Sequence, residues 1–210
     1  MIYIIKHKEY NNPIPKFHKE LYVGDMFNYK PININEYNKY INEATGLFDI
    51  WKNTTDDIVG LCHYRRFFWY NDDYLKLRDV KKILNKNDII ITNEVLFDKG
   101  IYEQLRSEIE NPSILDKYYN ILISKEPELE EWFKFKSFSP KEMFVCKRKI
   151  LDDYCEWLFE LILPITEKFI LEDLNNVFNK RMLGHLIERL FAYWIWKNKL
   201  KTYKMEYKDV

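Results

Sequence analysis

Four short apolar runs constrain this chain more than any other feature of it. They cover residues 2–5, 58–62, 88–92 and 142–146. Each is too short for a core helix. Each is continuous rather than alternating, as strands buried on both faces are. The first three stop abruptly in polar residues: Lys6-His7-Lys8, His63-Tyr64-Arg65-Arg66 and Asn93-Glu94. Stretches with helical spacing separate them: 38–52, 79–85, pieces across 101–134 broken by Pro112 and Pro127, then 152–163 and 181–198. Residues 21–27 read as a further short strand and 11–15 as a turn-rich loop. Buried strands alternating with helices predict an α/β fold: a mostly parallel central sheet flanked by helices, with a helical C-terminal part. A chain of 210 residues forms one domain of this kind, 1–210. Open α/β sheets bind ligands beyond their strand ends, so the polar clusters are the places to look for chemistry.

Composition removes several classes. Lysine plus arginine equals aspartate plus glutamate, 33 each, so a nucleic-acid partner is not expected and any basic site is local. Only 5 glycines are present and no G-x-G-x-x-G or Walker run occurs, which argues against Rossmann and P-loop chemistry. Cys62, Cys146 and Cys155 form no C-x-x-C pair and read as reduced thiols of a cytoplasmic protein. The opening MIYIIKHKEY lacks the apolar length of a signal peptide, and no run reaches a membrane span.

Three clusters carry the candidate chemistry. Residues 59–68 place His63, Arg65 and Arg66 directly after a buried strand, where arginine forks suit a phosphate or carboxylate. Strand alternation puts His63 and Arg65 on one side, with Arg66 opposite unless the strand ends there. The competing reading pairs both arginines with internal acids such as Asp56, Asp57, Asp72 or Asp73. The second cluster, His7 and Lys8 after the first strand, reaches the same sheet edge if the two strands are neighbours. The third is Arg181, His185, Glu188 and Arg189, which lie at helix spacings on about one face. It reads either as a site or as a salt-bridge network. Its arginines oppose a metal ion, and no other His, Asp or Glu pattern has metal-ligand spacing, so no metal is expected.

Beyond these clusters, the chain resembles over nearly its whole length the bacterial capsular and exopolysaccharide glycosyltransferases long known as a domain of unknown function. The specific residues are Gly60-Leu61-Cys62-His63-Tyr64-Arg65-Arg66. His7-Lys8, Asn33-Ile34-Asn35-Glu36-Tyr37-Asn38, Glu43-Ala44-Thr45, Trp51-Lys52-Asn53, Tyr154-Cys155 and Arg181-x-x-Gly184-x-x-x-Glu188-Arg189 add to them. The resemblance implies a small GT-A-like enzyme similar to galactofuranosyltransferases, using a UDP-sugar donor and a lipid-linked or oligosaccharide acceptor. The donor-binding part would be about 1–95 and the acceptor part about 96–210. In GT-A enzymes the corresponding strand ends in acids that hold a metal on the donor diphosphate. Here it ends in His63, Arg65 and Arg66, so protein cations are expected to take the metal's place. His7 and Lys8 would bind the nucleotide, and Glu43 and Thr45 would face the donor sugar. Glu188 is the first candidate for the general base and Glu142 the second; Arg181, His185 and Arg189 would line the acceptor side. The alternative is a non-catalytic carbohydrate- or partner-binding protein on the same fold, with its many aromatics as sugar platforms. The aromatic, lysine-rich stretch 190–204 would also allow peripheral contact with the inner face of the plasma membrane.

Overall fold

The computed structural model of the chain describes residues 1–10, 14–172 and 180–210; residues 11–13 of the expected 11–15 loop lie outside them. The strands are β1 (Ile2–Lys6), β2 (His18–Tyr22), β3 (Ile58–His63), β4 (Arg66–Tyr70), β5 (Asp73–Tyr74) and β6 (Ile89–Thr92), then β7 (Val95–Leu96), β8 (Ser137–Phe138), β9 (Phe144–Lys147), β10 (Thr202–Met205) and β11 (Tyr207–Asp209). The helices are α1 (Asn38–Ile41), α2 (Ala44–Asn53), α3 (Leu77–Leu84), α4 (Ile101–Glu108), α5 (Pro112–Lys125), α6 (Leu129–Trp132), α7 (Arg148–Phe169) and α8 (Met182–Lys197).

The main sheet runs in the order β10-β6-β9-β3-β1-β2. Along this path β1 is parallel to β2 and β3, β10 is parallel to β6, and β9 runs against its neighbours β3 and β6; off it, β4 pairs antiparallel with β3, β5 and β11. The predicted α/β class and mostly parallel sheet are therefore what the chain adopts. The reason the strands are apolar at every position is visible in their burial. Tyr3, Ile5, Val59 and Leu61 enter the core on the side of α2, α7 and α8. Ile2, Ile4 and Cys62 enter a second core with Phe67 and Phe68 of β4 and Val80 and Ile83 of α3. A strand covered on both faces has no polar side to present. All three cysteines are buried and unpaired.

Several boundaries differ from expectation. The strand expected over 21–27 is β2, which ends at Tyr22 before a 3-10 turn, Gly24–Met26, where Gly24 takes φ 66°. The single helix expected over 38–52 is two, because Asn42 adopts φ 50° and breaks it. The C-terminal part is helical through Lys197, but β10 then returns to the sheet beside β6 and β11 pairs β4. The apolar residues Phe191, Tyr193, Trp194 and Ile195, which a membrane contact would have used, are core. Trp196 is the one large aromatic of α8 that stays exposed. No helix among the described residues is long and apolar enough to cross a membrane.

Candidate functional site

β1 and β3 pair in parallel with Ile5 opposite His63, so the polar ends of both strands emerge together. Tyr64 gathers them. The His7 ring meets it edge-on at 5.1 Å, Lys8 Nζ lies 5.5 Å from its centroid and the Arg65 guanidinium 5.8 Å away. The expectation that these two clusters share a sheet edge is met. The expected facing of His63 with Arg65 is not. β3 ends at His63, Tyr64 and Arg65 form the hairpin loop, and Arg66 is the cross-strand partner of His63. Directly opposed residues share a face, so Arg66 joins His63 while Arg65 projects to solvent.

Two adjoining cavities open at this edge and share Asn42, Glu43 and Arg181 in their walls. One, of about 360 Å³, also takes His7, Lys39 and Lys180. The other, of about 130 Å³, takes His63, Arg66, Glu142, His185 and Glu188. Four groups that carry or can carry positive charge thus surround the larger cavity with one carboxylate, Glu43, among them. Sequence reasoning singled out neither Lys39 nor Lys180. Lys6, by contrast, is buried and paired with Glu20 at 2.6 Å.

The smaller cavity is built around a bent peptide. Lys141 and Glu142 have φ of 81° and 51°, a region unfavourable for residues with a side chain. Three contacts hold them there. Glu188 Oε1 accepts a hydrogen bond from the Lys141 N–H. His63 Nε2 donates to the Lys141 carbonyl at 2.6 Å. Thr92 Oγ1 donates to the Pro140 carbonyl at 2.7 Å. His63 Nδ1 faces Glu43 Oε1 at 3.2 Å. With an acceptor at each ring nitrogen, the imidazole is best satisfied as the doubly protonated cation. Burial pushes its pKa down, but the Glu43 carboxylate and the Lys141 carbonyl outweigh that and hold it above the ordinary value. Burial likewise pushes Glu43 up, but the His63 cation and Arg181 bring it down to about 2. His63 therefore fixes Glu43 and the bent peptide, with no ring nitrogen left to bind a diphosphate directly.

Glu142 is 4% exposed, and burial pushes its pKa up to about 8, against the hydrogen bond from Tyr154 at 2.9 Å and with Glu43 and Glu188 adding to the rise. Burial lowers His185. Of the four residues expected on one face, Arg181, just ahead of α8, and His185 and Glu188 within it face the cavities. Arg189 turns away: it donates to the His185 carbonyl at 2.8 Å and to Gln104, and its guanidinium lies 5.1 Å over the Phe138 ring. Thr45 does not reach either cavity, because its buried hydroxyl ties the α1–α2 break through Asn38 at 2.7 Å and the Asn42 carbonyl at 2.8 Å. Asn42 was missed by sequence reasoning although it adjoins Glu43. It accepts from Arg181 Nε at 3.0 Å. Gly184 lets it approach, since a Cβ there would sit 1.9 Å from Asn42 Nδ2. Of the internal acids considered as arginine partners, none pairs with Arg65 or Arg66. Arg66 instead meets Asp209 of β11, Nε to Oδ1 3.0 Å.

The model of a family described as a domain of unknown function (DUF4422) matches residues 1–199. The chain belongs to the DUF4422 family. No curated protein matches it. A solved structure described as the apo form of the WbbM bifunctional glycosyltransferase is similar, with a TM-score of 0.84 at 22% identity. The match covers 100% of this DUF4422 chain and 45% of that one, so the chain spans less than half of WbbM's length. The likeness establishes the fold.

Proposed function

We propose that this chain is a glycosyltransferase that moves a sugar from a UDP-sugar to a surface-polysaccharide acceptor, with inversion and without a metal. The observation that carries the reading is the pair of joined cavities: one rimmed by cations, the other holding Glu43, Glu142 and Glu188, at the strand ends of a fold shared with a glycosyltransferase. In the reaction the acceptor hydroxyl attacks the anomeric carbon from the face opposite the diphosphate. The carbon–oxygen bond to the diphosphate breaks and its electron pair leaves with the phosphate. The hydroxyl proton passes to Glu188.

Supporting roles follow the geometry. Lys39, Lys180 and Arg181 neutralise the leaving diphosphate, which is worth more in a partly water-excluded site than in bulk, and His7, whose pKa burial lowers, adds a hydrogen bond rather than a charge. Lys8 and Arg65 add to the field from the exposed rim. Glu43, held ionised, faces the developing positive charge on the donor sugar. Glu142, neutral at pH 7, is a poor base but a good hydrogen-bond partner, which leaves Glu188 as the base. Among the described residues no three His, Cys, Asp or Glu side chains form a metal-holding group. The donor part over 1–95 and the acceptor part over 96–210 meet at the smaller cavity. Galactofuranose is the first donor sugar to try, on the family resemblance. A lipid-linked acceptor would bring the protein to the cytoplasmic face of the membrane.

The test is a mass-spectrometric screen of UDP-sugars for hydrolysis and transfer, with and without EDTA, beside a thermal shift with UDP. Release of UDP that survives EDTA supports the reading. Strict dependence on manganese or magnesium removes the metal-free mechanism. UDP binding without any turnover leaves the non-catalytic binder.

A further inference from the structure

A third cavity, of about 670 Å³, lies outside the site already described. That size is typical of small-molecule sites. Its lining includes four aromatics, Trp132, Phe135, Phe138 and Trp196. Trp196 and Phe135 are 40% and 38% exposed, and their rings meet edge-to-face at 5.6 Å. Its polar rim is largely neutralised from within. Lys204 Nζ pairs with Glu94 at 2.7 Å, and Lys197 Nζ lies 3.5 Å from Glu128. Partly exposed aromatic faces beside paired charges suit a neutral polyhydroxy ligand. The polarised C–H faces of a sugar ring pack on aromatic faces, and the rim supplies donors and acceptors for hydroxyls. A lipid tail would leave that rim without partners, and a polyanion would find two of the lysines already taken.

Position links this cavity to the proposed reaction. The same two segments wall both. Along α8, Glu188 lines the small cavity and Ala192, Ile195 and Trp196 line the large one, four, seven and eight residues on, which is one helix face. Along the other wall, Ser137, Phe138 and Ser139 line the large cavity, and Lys141 and Glu142 line the small one. From Glu188 to Trp196 the helix rises about 12 Å, the reach of a short run of sugar rings. We infer that the Trp196–Phe135 cavity is the acceptor subsite: it holds the neutral sugar rings behind the acceptor hydroxyl while that hydroxyl sits at Glu188. This rests on the proposed transfer reaction for the identity of its ligand.

The experiment is calorimetric titration of the full chain with methyl galactoside, a galactose disaccharide and a galactose trisaccharide, and separately with UDP. Affinity is expected to rise with chain length up to the trisaccharide. In Trp196→Ala the trisaccharide should bind at least about tenfold more weakly and the monosaccharide within about twofold of wild type. Trp196→Phe should retain most of the gain. Phe135→Ala, at a second partly exposed position, should repeat the loss. An affinity independent of chain length, no trisaccharide binding to the wild-type chain, or a trisaccharide affinity indifferent to both alanine variants overturns the subsite. Failure of UDP to bind the wild-type chain, with the sugar series behaving as expected, instead overturns the transferase reading and leaves an oligosaccharide-binding surface.

Discussion

The cavities beside Arg181 and the cavity beside Trp196 are walled by one helix, yet they treat charge in opposite ways. At the Trp196 end, Lys204 and Lys197 each have a carboxylate of their own. At the Arg181 end, Lys39, Lys180 and Arg181 share the larger cavity with Glu43, and Glu43 is already engaged by His63. Holding like charges close together is unfavourable unless something of opposite sign joins them. The difference teaches where each ligand's charge belongs: a diphosphate at one end and a neutral sugar at the other.

The sharpest way to break this comparison is at Glu188. Glu188→Gln keeps the acceptor for the Lys141 N–H and removes the base, so turnover should fall by about 10²–10⁴ while UDP affinity holds. Single-turnover transfer assays measure the first and calorimetry the second. Unchanged turnover would take Glu188 out of the reaction.

The next effect is on stability. The raised pKa of Glu142, about 8 against an unfolded value of 4.5, means that the folded state binds the extra proton. Its contribution is complete below pH 4.5 and is lost as pH rises through 8. Glu142→Gln imitates the neutral form. The variant should therefore gain on wild type between pH 4.5 and 8, by an amount on the order of 3–5 kcal/mol by the upper end. Urea melts at pH 5 and pH 8 read the difference. The Glu43–His63 pair behaves differently: its stabilisation is present between the two unfolded values. It fades as pH falls toward 2 through Glu43 and as pH rises above the ordinary histidine range through His63.

Arg181 tests the charge contrast itself. Arg181→Ala removes one of the cations beside the larger cavity and should weaken UDP about 10- to 100-fold, since charge-assisted hydrogen bonds are about twice as strong as neutral ones. The galactose trisaccharide should bind within about twofold of wild type. Equal losses for both ligands would erase the distinction between the two ends.

How much of this was readable beforehand follows from the range of the interactions involved. The four apolar runs marked β1, β3, β6 and β9 because double-sided burial leaves a local signature. The α8 stripe was legible because Arg181, His185 and Glu188 are neighbours at helix spacing. What sequence missed depends on contacts between distant segments. Arg66, not Arg65, joins His63 because a hairpin turns after the histidine. The role of His63 emerges only once Lys141, 78 residues away, supplies the second acceptor. The strained Lys141-Glu142 step has no local marker, since neither residue is a glycine. β10 and β11 were not expected as strands, because each is short with little buried surface and their pairing partners lie more than 100 residues upstream.

The smallest effect, and the one that separates the two ends most cleanly, is that of salt. The Debye length is roughly 10 Å at 0.1 M and 3 Å at 1 M. Screening therefore reaches the exposed cations Lys8, Lys39, Arg65 and Arg181 over this range, while the ion pairs at the Trp196 cavity join the protein's own groups to each other. UDP affinity should fall several-fold between about 0.05 and 0.5 M sodium chloride, in line with the number of charges released. Trisaccharide affinity should stay flat, because its contacts are aromatic packing and neutral hydrogen bonds. Titrating both ligands on one preparation across the salt series measures the two slopes together. A trisaccharide slope as steep as that of UDP would mean that Lys199 or another rim lysine binds the sugar through charge. The division of labour drawn between the two ends of α8 would then be wrong.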